Sequence, residues 1–100
     1  MKFGIFGGAR QQLGPADTDS PTGYRDWIEY SIEAEALVYH STFTTEHHFT
    51  GLGQVSASLN LLTYLATKTT TLRLGIAVMT LPWHNPILLV EQAATLDLVS

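Results

Sequence analysis

Apolar residues recur along this chain at two different periods. Phe3 to Phe6 forms a short apolar run closed by Gly7 and Gly8, which predicts a buried strand. A polar stretch rich in Gly, Pro and Asp, from Ala9 to about Gly23, predicts a loop. Tyr24, Trp27, Ile28, Ser31, Ile32, Glu35 and Val38 then fall at helical spacing, with Asp26, Glu29 and Glu33 left for solvent. That pattern predicts a helix from Tyr24 to Leu37. Ser41 to Thr45 is β-branched and aromatic, hence a second strand. Thr50 to Gln54 holds two glycines and reads as a loop, after which Val55, Leu59, Leu62 and Ala66 mark one face of a second helix. Lys68 to Thr71 is a polar break with three consecutive threonines, poor helix formers. Leu72 to Met79 is the clearest strand, with Leu72, Leu74, Ile76 and Val78 alternating against Arg73, Gly75, Ala77 and Met79. Asn85 followed by Pro86 is a helix start, and a third helix runs from Pro86 toward Ser100.

Strands that alternate with helices predict a parallel sheet with helices packed against it. An open doubly wound sheet and a barrel both suit this order, although three strands are few for either. One hundred residues set a limit of one domain, spanning 1–100. Apolar residues make up 45% and charged residues only 14%, against roughly 25% charged in an average globular chain. The balance excludes a disordered protein and suggests a piece whose neighbouring surfaces are missing. A net charge of −4 and five scattered cations (Lys2, Arg10, Arg25, Lys68, Arg73) give no reason to expect a nucleic-acid partner. Cysteine is absent, so neither a disulfide framework nor thiolate chemistry is available. The opening apolar run is too short for a signal peptide. No stretch approaches the roughly 18 to 20 apolar residues that span a bilayer, so a cytoplasmic protein is expected.

The most informative stretch chemically is Thr45-Glu46-His47-His48-Phe49-Thr50-Gly51. It sets a carboxylate and two imidazoles just beyond the C-terminal end of a parallel strand, the end at which α/β active sites form. Imidazole titrates near neutrality and can accept or donate protons there. The two histidines could equally be ordinary hydrogen-bonded loop residues. Adjacent histidines in an extended segment point to opposite sides, so this pair is not expected to chelate a metal. Along the third strand, the face opposite the large aliphatics carries only Gly75 and Ala77. If the large face meets the helices, the slender face leaves room for a flat ring. Close packing between sheet and helix would explain the same pattern.

Taken together, these stretches resemble one family. Glu46-His47-His48-Phe49, then Leu72-Arg73-Leu74-Gly75-Ile76-Ala77-Val78, then Leu81-Pro82 through Glu91-Gln92-Ala93-Ala94-Thr95-Leu96-Asp97 look like bacterial luciferase and the luciferase-like monooxygenases. Met1-Lys2-Phe3-Gly4 is similar to that family's start, and the likeness runs through nearly the whole chain in order and spacing. The resemblance implies the first three β-α units of a (β/α)8 TIM-type barrel with parallel strands, incomplete as given. It implies an oxidoreductase in which reduced FMN activates dioxygen to oxidise a small organic substrate. His47 matches the catalytic histidine, with Glu46 and His48 shaping the pocket mouth. Ala77-Val78 matches a non-proline cis peptide under the flavin ring, with Gly75 beside it. A flavin reductase as partner and a dimeric full-length form are expected on the same grounds. A deazaflavin-dependent dehydrogenase or reductase on the same barrel is the close alternative. A non-catalytic flavin-binding subunit is another, and a complete three-unit α/β binding module with self-associated edges a third.

Two details bear on the match. Val38-Tyr39-His40-Ser41 stands where the family often has glycine, an aromatic and aspartate. Glycine there suits a left-handed helix end; valine does not, so the helix is expected to end differently. Gly51-Leu52-Gly53-Gln54-Val55-Ser56 superficially resembles a dinucleotide fingerprint, but Glu46 to Thr50 separate it from the strand. No acidic residue follows before Glu91, so it reads instead as a mobile loop over the site. A complete barrel takes about 250 residues, with phosphate loops after strands seven and eight. The chain alone is therefore expected to bind flavin poorly and to aggregate through unpaired strand edges.

Overall fold

The computed structural model describes residues 1–9, 21–49 and 55–100. Three strands, β1 (Gly4–Gly7), β2 (Ser41–Thr44) and β3 (Arg73–Ile76), lie parallel in the order β1-β2-β3. Three helices alternate with them: α1 (Thr22–Ala36), α2 (Ser58–Ala66) and α3 (Pro86–Val99). The register aligns Ile5 with Thr42 and Leu74, and Gly7 with Thr44 and Ile76. Side chains alternate across a strand, so these two rows share one face. It is the helix-covered face: Leu74 and Ile76 pack on a core of Ala9, Trp27, Val55, Leu61, Leu62 and Leu65. The large aliphatics of the third strand thus meet the helices, as their alternation predicts.

Two threonines, Thr42 and Thr44, are fully buried on that face. Their hydroxyls need partners there. Thr42 Oγ1 shares a hydrogen bond of 3.3 Å with the equally buried Ser31 Oγ of α1, which explains a serine on the inward stripe of that helix. Asp26, Glu29 and Glu33 face solvent as expected. The opposite face of the sheet carries Phe6, Phe43 and Gly75 in one row. Phe6 and Phe43 remain exposed.

Element ends depart from the sequence expectation where tertiary contacts decide them. The third strand stops at Ile76 rather than Met79. Ala77 N–H donates the last ladder bond to Thr44 O, 2.9 Å, and β2 has no further residue to pair. The Ala77-Val78 peptide is cis, and a single 3₁₀ turn at Leu81–Trp83 follows. The second helix starts at Ser58, after the Val55 carbonyl has been taken by His47 N–H at 2.8 Å. The third begins where Asn85-Pro86 places it, with Asn85 Oδ1 accepting from the Ile87 and Leu88 N–H groups at 3.0 and 3.3 Å. Its Ile87, Leu88, Val90, Leu98 and Val99 are all exposed, so it is apolar on faces that none of the described residues covers.

The end of α1 corrects the expectation for Val38. Valine adopts the left-handed conformation after all, with φ 64. Tyr39 N–H donates to Ala34 O and Val38 N–H to Glu35 O, both 2.9 Å, the paired bonds of a Schellman ending. The loop that joins α2 to β3 is fastened to the same helix. Glu35 Oε1 accepts from the N–H groups of Thr70, Thr71 and Leu72 at 2.8, 2.6 and 2.9 Å, and from Thr71 Oγ1 at 3.0 Å. Burial alone would raise the Glu35 pKa, but these donors outweigh it and hold the carboxyl below its ordinary value. Glu35 therefore sits on the helix stripe as a latch. Among the described residues no helix is long and apolar enough to cross a membrane.

Candidate active site

Parallel strands deliver their exit loops to one edge of a sheet, so β2 and β3 release Thr45–His48 and Ala77–His84 side by side. Glu46 joins them. Its side chain is fully buried, and among the described residues its two oxygens divide four donors. Oε1 accepts from His48 Nε2 at 3.0 Å, His84 Nε2 at 2.8 Å and Thr80 N–H at 3.1 Å. Oε2 accepts from Ser58 Oγ, at the first turn of α2, at 2.5 Å. Burial pushes the carboxyl pKa up, but the hydroxyl, the two imidazoles and the backbone N–H more than offset this. The outcome is a pKa of about 2, so Glu46 is ionised at neutral pH.

The alternation that separates neighbouring histidines also explains which one joins Glu46. His48 lies two residues on and returns to the same side; His47 does not belong to the cluster. His47 is half-buried, and its backbone N–H anchors the segment to Val55. Trp83 stacks on His48 with ring centroids 4.9 Å apart and planes at 27°, which fixes the imidazole plane. Phe49, with φ 55 and full exposure, lies 6.3 Å from Trp83.

The residues expected to line a cofactor surface divide into two groups. Ala77 and Val78 leave β3 at this same edge, joined by the cis bond, and Val78 is exposed together with Leu81 and Trp83. Gly75 lies one turn of the pleat deeper, and the free room expected above it is not there. A Cβ on Gly75 would meet the Phe43 ring, with Cδ1 at 2.5 Å. Its smallness admits that neighbouring ring. The glycine-rich 51–54 segment and most of the loop before α1 lie outside the described residues.

Three members of the site escaped the sequence reading: Ser58, Thr80 and His84. Ser58 and Thr80 carry no distinguishing motif. His84 had one usable signal, since it precedes a helix start in the loop after the strand next to β2.

Comparison with known proteins follows the same lines. Residues 1–100 match the luciferase-like monooxygenase family. An Escherichia coli K12 protein named luciferase-like monooxygenase is 43% identical over 84 residues, which cover 83% of this chain and 25% of that protein. The alkanal monooxygenase beta chain of Aliivibrio fischeri is 27% identical over 100 residues, 100% of this chain and 30% of its own length. The crystal structure of the monooxygenase RslO1 from Streptomyces bottropensis superposes with a TM-score of 0.85 at 28% identity, covering 100% of this chain and 30% of that one. The chain thus spans between a quarter and a third of these relatives, and its parallel sheet with helices is part of a TIM-type barrel. On the match along its whole length, this chain belongs to the luciferase-like monooxygenase family.

Proposed function

We propose that this chain is part of a flavin-dependent monooxygenase that uses reduced FMN and dioxygen to oxidise a small organic substrate, with His47 as a catalytic residue. The observation that carries the reading is the convergence at one sheet edge. There, the loop bearing His47 and the loop bearing Ala77 and Val78 are bound to one another through Glu46. In barrels of this kind, residues at the C-terminal ends of strands perform the chemistry.

The described residues suit the ring half of a flavin. Val78, 77% exposed, and the neighbouring Leu81 and Trp83 offer an apolar ledge on which a flat ring can rest. Ala77 and Val78 would hold the ring, with Glu46 and His48 fixing the loop beside it and Gly75 acting through Phe43. When bound, the cofactor supplies the electrons that activate dioxygen. The protein's own part is to orient, to exclude water and to move a proton. The imidazole of His47 suits the last task, since its ring nitrogens can accept and donate a proton. Glu46, ionised and saturated by donors, holds geometry and does not transfer protons.

The monooxygenase names of the relatives favour this reading over a deazaflavin-dependent dehydrogenase on the same scaffold. The reading carries with it a flavin reductase as supplier, a dimeric full-length form and a cytoplasmic location. Replacing His47 with alanine in the full-length protein tests it. The expected result is a kcat lowered by about 100- to 10,000-fold, with FMN affinity and KM little changed. Unchanged oxygen-dependent turnover, or a requirement for deazaflavin in place of FMN, would refute it.

A further inference from the structure

Glu46, His48 and His84 place one carboxylate oxygen and two imidazole nitrogens within 4.8 Å of one another. We propose that this trio is a binding site for a borderline transition-metal ion of the zinc, cobalt or nickel type. His47 and His48 are neighbours in an extended segment, so their side chains diverge and do not share an ion. His84 arrives from the adjacent loop and meets His48 at Glu46.

The donor set is chemically apt, because imidazole suits zinc, nickel and iron, and a carboxylate completes a three-ligand face. Ligands at about 2.0 to 2.2 Å from a tetrahedral ion stand roughly 3.3 Å apart. The Glu46 Oε1 separations of 3.0 and 2.8 Å need to open by a few tenths of an ångström, and the two imidazole nitrogens, within 4.8 Å of one another, need to draw together as they exchange their N–H groups for the ion. The side chains of His48 and His84 are 17% and 23% exposed, at the rim, while Glu46 behind them is sealed. A supporting shell is already built. Ser58 Oγ holds the second oxygen of Glu46, and Trp83 holds the plane of His48. Outer-shell contacts of this kind orient metal ligands. The rim side leaves the remaining coordination positions open to water or a small ligand.

The test is a cobalt(II) titration of the full-length, flavin-free protein, followed by visible absorption and then by displacement with zinc(II). Its outcome does not depend on the monooxygenase reading, since neither flavin nor turnover is involved. One equivalent of cobalt is expected to bind with the bands of a four- or five-coordinate ion, and zinc is expected to bleach them. His84→Gln keeps an N–H donor toward Glu46 but removes the imidazole. It is expected to weaken binding by more than the roughly 10- to 100-fold that loss of an outer-shell group costs, and His48→Gln likewise. Two results overturn the proposal: no visible bands at saturating cobalt, or affinities unchanged in both variants. If the variants do not fold, X-ray absorption of the zinc-loaded wild type decides. A first shell without two imidazoles overturns the site, and two imidazoles with a carboxylate oxygen support it.

Discussion

Glu46→Gln removes a charge from the centre of the site while keeping its shape. The glutamine carbonyl can face His48, His84 and Thr80, and its amide can donate to Ser58 Oγ, which then accepts. What is lost is the ionised acceptor. The carboxyl titrates at about 2 in the folded chain against an ordinary 4.5. At about 1.4 kcal/mol per pH unit, that gap corresponds to about 3 kcal/mol favouring the folded state when Glu46 is charged. The sign follows from the direction. A depressed pKa contributes stability that is complete above the unfolded value and disappears as pH falls from 4.5 toward 2. Wild type is therefore expected to exceed the variant by about 3 kcal/mol at neutral pH. The difference should close in acid, as the carboxyl takes up its proton in both states. Urea unfolding of both full-length proteins at pH about 7, 5, 4 and 3 measures this. A difference of the same size at every pH, or one below about 1 kcal/mol at neutrality, would refute the assignment of Glu46 as a charged hub.

Three further outcomes are expected. Val38→Gly should stabilise the protein by about 0.5 to 1 kcal/mol. It relieves a left-handed valine costing about 1 to 2 kcal/mol, less the entropy of a more flexible unfolded chain. Val38 is 90% exposed, so no packing is forfeited, and a lowered urea midpoint would contradict this. Glu35→Ala should cost about 1 to 2 kcal/mol, because three N–H groups of the α2–β3 loop lose their acceptor and water only partly replaces it. Amide exchange at Thr70 to Leu72 should quicken; unchanged protection would dismiss the latch. The stabilisation by Glu35 should also fade as pH falls through the carboxylate range, since its folded pKa is depressed. Gly75→Ala should destabilise by about 1 to 3 kcal/mol by displacing the Phe43 ring, and adding Phe43→Ala should make the methyl group harmless. Equal costs in the two backgrounds would remove that explanation.

What could be read along the chain was whatever depends on near neighbours. The alternation of Leu74 and Ile76 with Gly75 gave the buried face of β3, and Asn85-Pro86 gave the start of α3. The order of strands and helices gave the parallel sheet. Strand length was hidden because β2 sets where β3 ends. The 3₁₀ turn was hidden too, since it follows from contacts of Thr80 and His84 with Glu46. Of the site, Glu46, His47 and His48 stood out as a compact polar motif after a strand. His84 lies 38 residues from Glu46 along the chain, and only pairing between adjacent strands brings them together. Val38 was misjudged for a related reason: the cost of a left-handed valine is local, but the bonds that overcome it come from the whole helix end.

A single carboxylate at a three-way junction also constrains how such a rim can change over generations. Because the turn after β2, the first turn of α2 and the segment after β3 all terminate on Glu46, none can be lengthened or exchanged without disturbing the other two. Variation among related chains should therefore accumulate elsewhere along this edge of the sheet. Grafting this trio onto another scaffold would succeed only if all three pieces travelled as one block.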